Sequence, residues 1–122
     1  MRIGYARDVK CAPILQQQVK KLEAANCQKI FISRKYVERG DLINTVNSFI
    51  REEDTIVIHD LSCLDKSLEE LISFFHRLNN LHLSFESIEE GLIINRKQWS
   101  VVFDAIHLFQ NLKQQLSEDE ID

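Results

Sequence analysis

The sequence predicts an α/β domain with a mainly parallel sheet of four to five strands, flanked by helices and ending in a long C-terminal helix. Three observations carry this. Strand-like and helix-like segments alternate in a β-α-β-α-β-α-β order. Residues 55–58 (TIVI) form a nearly continuous apolar run, the pattern of a strand covered on both faces. Only three Gly and one Pro punctuate the 122 residues, so elements are long and connections short.

Residues 2–7 (RIGYAR) open with strand-like alternation. A helix is predicted after Pro13, whose missing N–H suits a first helical turn, with Ile14, Val19, Leu22 and Ala25 on one face. Residues 29–33 (KIFIS) read as a second strand, and 41–51 as a helix with Leu42, Val46, Phe49 and Ile50 at helical spacing. After the 55–58 strand, Ser67 followed by Glu70 makes a capping-box pattern. It opens a helix whose Leu68, Leu71, Ile72, Phe75 and Leu78 recur at three and four. Residues 82–88 (HLSFESI) alternate again as a strand.

The last helix is predicted over 97–116, with Val102, Ala105, Phe109, Leu112 and Leu116 in a heptad-like seam. Trp99, Phe103, Ile106 and Leu108 lie off that seam, so one side is expected to pack the domain and the other a partner. A single broad core face is the alternative. The expected division is an α/β core over 1–95, an association helix over 96–116, and an acidic tail over 117–122 that frays, since anions are disfavoured at a helix C-terminus.

At 44% hydrophobic and 28% charged the chain has the composition of a folded domain, and its length allows one core. Fifteen basic against nineteen acidic residues exclude a strongly basic nucleic-acid coat while permitting a local basic pocket. No apolar run approaches a membrane span, and the N-terminal residues lack the layout of a secretory signal. Cys11, Cys27 and Cys63 are an odd set without a CxxC pair, which reads as free thiols in a cytoplasmic protein.

Ligands of open α/β sheets bind beyond the carboxyl ends of the strands, which directs attention to residues 7–9, 33–36 and 60–66. Gly4, Gly40 and Gly91 are isolated, so no phosphate-cradling glycine loop can be drawn. His59, His76, His82 and His107 are scattered, and no His/Cys cluster has metal spacing; no cofactor is expected.

At these positions the chain resembles a known family. MRIGYAR at the start, LEAANCQKIF at 22–31, the spacing of Arg39 and Leu42, DTIVIHDLSCLDKSLEEL at 54–71 and LSFESIEEGL at 83–92 are similar to the catalytic domain of serine recombinases, the resolvase/invertase family. The resemblance covers nearly the whole chain and implies a resolvase-like (flavodoxin-like) fold. It implies a mechanism in which a serine hydroxyl attacks a DNA phosphodiester, arginines hold the scissile phosphate, and a phosphoserine link forms.

The family's opening motif, Y-A-R-V-S-T, stands here as Tyr5-Ala6-Arg7-Asp8-Val9-Lys10, which puts Val9 in the attacking position. Its L-D-R-L-x-R-S motif stands as Leu61-Ser62-Cys63-Leu64-Asp65-Lys66-Ser67, with Ser62 and Cys63 replacing Asp and Arg. Lys66 keeps a charge but not the bidentate fork of arginine. Arg39 matches an arginine of the family, with Gly40 where a proline would be. Arg7, Arg39 and Lys66 are thus the expected remnant of a phosphate-binding set. Ser62, Cys63 and Cys11 are conceivable substitute nucleophiles, but no neighbouring base is evident in the sequence.

The expectation from these substitutions is a chain that is not an enzyme, a degenerate recombinase acting as an accessory or regulatory protein in a mobile-element setting. Its partner would be a second copy or a related recombinase, met through the 97–116 helix. The family's long helix leads to a separate DNA-reading domain, whereas this sequence ends in acid, which implies weak or absent DNA binding by this chain alone. Two alternatives are open. One is a receiver-like, phosphate- or Mg²⁺-binding switch using Asp8 and Asp60. The other is a weak DNA-binding module using Arg7, Arg34, Lys35, Arg39 and Lys66.

Overall fold

The fold is described from a computed structural model, for residues 1–10, 12–33, 50–64 and 67–121, with the backbone alone over 117–121. Five strands form one sheet: β1 (Arg2–Arg7), β2 (Lys29–Ser33), β3 (Thr55–Ile58), β4 (Ser84–Ser87) and β5 (Leu92–Ile94), in the order β2-β1-β3-β4-β5. The β1/β2, β1/β3 and β3/β4 pairs are parallel and only β4/β5 is antiparallel. Among the described residues the helices are α1 (Leu15–Ala24), α2 (Leu68–Asn80) and α3 (Trp99–Ile121), with a 3₁₀ turn at Leu61–Leu64 directly after β3. This is the resolvase-like α/β arrangement expected from the sequence.

The pleat of β1 divides the core. Ile3 and Tyr5 face one side, where Ile56, Ile58, Phe85 and Ile94 of the neighbouring strands meet Phe74, Phe75 and Leu78 of α2 and Trp99 of α3. Ala6 and Val57 face the other side and pack against Leu22 of α1. Gly4 lies on that second face, where an added Cβ would stand 3.1 Å from Leu22 Cδ1 and 3.2 Å from Cys27 Sγ. The missing side chain lets α1 approach the strand. Gly91 does different work: it turns β4 into β5 at φ +63°, a conformation that L side chains rarely adopt.

The aromatic cluster fixes how the last helix leaves the sheet. Phe75 lies 5.4 Å from Phe85 and 5.3 Å from Trp99 between ring centroids. The indole Nε1 of Trp99 donates to the Leu83 carbonyl at 2.8 Å, which satisfies the one polar atom of a fully buried side chain. Further along, Val102, Phe103 and Ile106 pack on the same core, and Phe103 stacks on His76 of α2 at 3.9 Å.

Several expectations are corrected. Helix α1 starts at Leu15, so Ile14 stands outside it and is exposed, while Gln18 is fully buried on the face where only apolar residues were expected. The helix predicted over 41–51 falls mostly outside the described residues. Its last two positions, Ile50 and Arg51, are not helical, because the Arg51 N–H donates to the Asp54 carboxylate at 2.9 Å and closes a turn. The capping box at Ser67 and Glu70 forms as expected, but Leu68 is exposed and Phe74 takes a core position. The 97–116 seam does not act as one stripe. Val102 joins the domain core, whereas Ala105, Phe109, Leu112 and Leu116 face outward with Val101 and Leu108. Nor does the helix fray at 116; its backbone stays helical through residues 117–121, where no glycine or proline interrupts it.

Candidate active site

Strand β1 has parallel neighbours on both sides, β2 and β3, so successive crossovers leave it in opposite directions. The crevice at the carboxyl ends of β1 and β3 is therefore the topological switch point, where such sheets bind ligands. Residues 7–9 leave β1 there and residues 59–64 leave β3.

Arg7 is held by its backbone as well as its side chain. Its N–H donates to Gln18 Oε1 at 2.9 Å and its carbonyl accepts from Gln18 Nε2 at 2.8 Å. The same Nε2 reaches the Pro13 carbonyl at 2.7 Å, so one buried amide ties the end of β1 to the start of α1. The guanidinium donates from Nη1 to the Leu64 carbonyl at 3.0 Å, bridging β1 to the 3₁₀ turn. Its neighbour Asp8 is exposed and donates its N–H to the Ser33 carbonyl at 2.9 Å, while Val9 is buried and offers only carbon.

The turn after β3 is organised around Asp60. Its Oδ1 accepts from the Ser62 hydroxyl and lies 3.6 Å from Cys63 Sγ, and its Oδ2 lies 3.0 Å from His59 Nδ1. An ionised carboxylate can only accept, so Nδ1 carries the proton in this pair. Burial pushes the Asp60 carboxyl up, but hydrogen bonds from Ser62 and His59 and the attraction of the imidazole outweigh it and hold Asp60 below its ordinary range. Burial pushes the Cys63 thiol up to about 11, so it stays protonated at neutral pH. Its Sγ also lies 3.4 Å from Gln18 Oε1.

Residues of the β4–β5 turn clamp this segment from the far side. Glu90 accepts the Leu61 N–H at 2.9 Å on one oxygen and the Ser87 hydroxyl on the other. The Glu89 N–H donates to the His59 carbonyl at 2.9 Å, and its carboxylate pairs with Lys21 of α1 at 3.1 Å and lies 3.9 Å from His59 Nε2.

Of the residues singled out in the sequence, the structure brings Arg7, Ser62 and Cys63 to one end of the sheet, with Val9 beside them. Arg39, Lys66, Arg34, Lys35 and Cys11 lie outside the described residues. Asp8 and Asp60 follow the ends of the neighbouring strands β1 and β3, and the Asp60 carboxylate accepts from Ser62 and His59. Among the described residues, no group of three or more His, Cys, Asp or Glu side chains is placed to hold a metal ion. Gln18, His59, Glu89 and Glu90 were missed as site residues. The sequence marks Gln18 only as a polar residue one turn before Leu22 on the buried face of α1, and the two glutamates only as a turn beside Gly91.

The profile of the Resolvase N-terminal domain family matches residues 2–121. The chain belongs to this family. The Transposon Tn552 resolvase of Staphylococcus aureus is 36% identical over 112 residues, which is 89% of this chain and 56% of that protein. The Transposon Tn552 DNA-invertase BinR of the same organism is 35% identical over 99 residues, 79% of this chain and 51% of its own length. The DNA-invertase hin of Salmonella typhimurium is 24% identical over 117 residues, 93% of this chain and 61% of the relative. The chain thus spans about half the length of the curated relatives it matches.

This corrects the expectation of a non-enzyme. Relatives about one-third identical over most of this resolvase-family chain are named as a resolvase and a DNA-invertase, which are recombinase enzymes. Substitutions at single motif positions do not outweigh a family match that runs along nearly the whole chain. No helix of the described residues is long and apolar enough to cross a membrane.

Proposed function

We infer that this chain is the recombinase-type domain of a transposon-linked resolvase or invertase, acting on DNA phosphodiesters in the cytoplasm. The family match across residues 2–121 carries the reading. The geometry supports it: Arg7 is fixed at the switch-point crevice by Gln18 and Leu64, where a guanidinium can meet a phosphate oxygen. Arg39 and Lys66 complete the phosphate-binding set in this reading.

Association belongs to the same proposal. The outer side of α3 exposes Val101, Leu108, Phe109, Leu112 and Leu116. Contiguous apolar surface on one helix favours a protein partner, here a second copy or a related recombinase. The core over 1–95 would hold the site and the 96–116 helix would join the subunits.

Fluorescence anisotropy of a labelled duplex at low salt tests the reading. Binding with Kd of roughly 10⁻⁴ to 10⁻⁶ M that weakens as salt rises is the expected result, since displaced counterions set phosphate affinity. Arg7→Ala is expected to weaken it further and to flatten the salt slope. A duplex that does not bind at low salt, or binds independently of salt, would overturn it.

A further inference from the structure

We propose that Ser62 is the nucleophile of this domain, attacking a phosphodiester phosphorus with Asp60 as the proton acceptor; the assignment rests on the phosphodiester reading above. Attack on phosphorus needs a side-chain atom with an available lone pair, and valine at position 9 supplies none. Among the described side chains at the carboxyl end of the sheet, the hydroxyl and thiol candidates are Ser33, Ser62, Cys63 and Ser87. Cys63 is fully buried, with a thiol that remains protonated at neutral pH. Ser87 is also fully buried and gives its hydroxyl to Glu90. Ser33 ends β2, on the far side of β1 from the turn that follows β3. Ser62 lies on the turn itself, is half-buried, and gives its hydroxyl to the ionised Asp60 carboxylate.

The arrangement is a nucleophile, a base and a positioning group in sequence: Ser62 Oγ to Asp60 Oδ1, and Asp60 Oδ2 to His59 Nδ1 at 3.0 Å. His59 acts as a positioning residue, itself held between the Asp60 carboxylate and Glu89. The turn is fixed at one end by Glu90 on the Leu61 N–H and at the other by the Arg7 guanidinium on the Leu64 carbonyl. This ties a cation to the same turn as the proposed attacking oxygen, on the side where charge would build on the non-bridging phosphate oxygens.

In the step, the bond from Ser62 Oγ to phosphorus forms as the bond from phosphorus to the leaving oxygen breaks. The hydroxyl proton passes to Asp60 Oδ1 and then to solvent, and the leaving alkoxide takes a proton from solvent. The product is a phosphoserine diester, and no oxidant, reductant or further co-reactant enters. Asp60 is neutralised only as it takes the Ser62 proton, so its repulsion of the phosphate falls as the new bond forms. A carboxylate held below its usual range is a weak base, so a substrate with a good leaving group reports the reaction best.

The test uses bis(4-nitrophenyl) phosphate at millimolar concentration and slightly alkaline pH, reading 4-nitrophenolate release, intact protein mass and the modified peptide. One equivalent of release and a single adduct at Ser62 are expected. Ser62→Ala abolishes the adduct, Ser62→Thr keeps it at position 62, and Asp60→Asn slows its formation by roughly 10²-fold while circular dichroism shows the variant folded. An adduct on any other residue, or none on the folded natural chain, overturns the assignment. If the chain forms no adduct yet binds duplex DNA in a salt-dependent way, the nucleophile is wrong and the DNA reading stands; loss of both removes the reading as well.

Discussion

The side chain of Gln18 pairs with the main chain of Arg7 as a neighbouring strand would, accepting its N–H at 2.9 Å and donating to its carbonyl at 2.8 Å. β1 thus keeps its hydrogen bonding at the point where the chain must leave the sheet, and the arginine enters the crevice from a fixed backbone. Replacing Gln18 by Leu would strand those two groups and the Pro13 carbonyl in a buried setting. A loss of about 3 kcal/mol is expected, at the level of two or three unsatisfied groups discounted for partial hydration. Urea denaturation of the two proteins measures it.

How far the sequence could be read follows from the kind of force involved. Ile56, Val57 and Ile58 announced a doubly covered strand because burial on two faces leaves no polar position to mislead. Ser67 and Glu70 announced their helix because a capping box is a local bond between residues three apart. Gln18 and Glu90 were not legible, since the contacts that make them part of the site go to backbone groups 11 and 29 positions away, which nothing in the local sequence marks. Arg7 and Ser62 could be named from their motifs, but the base beside Ser62 could not, because the turn of residues 61–64 is what folds Ser62 back on Asp60.

The exposed side of α3 makes a prediction about assembly. Sedimentation at micromolar concentration should show self-association, and Phe109→Asp or Leu112→Asp should abolish it while leaving the unfolding midpoint nearly unchanged. Both side chains lie outside the domain core, so a charge there disturbs only what covers them. Each buried apolar anchor is worth about 1.5–3 kcal/mol, enough for one substitution to shift the association constant by tenfold or more.

Asp60 makes a prediction about acid. Its folded-state pKa lies below the ordinary 3.8, so its interactions stabilise the protein at pH values above 3.8 and are lost as pH falls through the lower folded value. The natural chain should exceed Asp60→Asn in urea midpoint by a constant amount at pH 5 and above (about where the carboxyl is ionised in both states), and the gap should close on acidification below about pH 4. A gap that widens in acid would contradict the sign.

Trp99 sets the exit of α3, and its removal should be expensive. Trp99→Ala opens a cavity against Phe75 and leaves the Leu83 carbonyl without its indole donor. A cost of about 3–5 kcal/mol is expected. Hydrogen exchange should quicken through the first turns of α3 well before the β1 and β3 amides respond.

The most direct measurement of the central claim, that phosphate is handled at the switch-point crevice, is an NMR titration of the labelled chain with a short duplex at low salt. The amides of residues 7–9 and 59–64 should shift together in fast exchange and return to their free positions as salt is added. Shifts confined to α3 or to the outer face of α1, with the crevice amides unmoved, would contradict it.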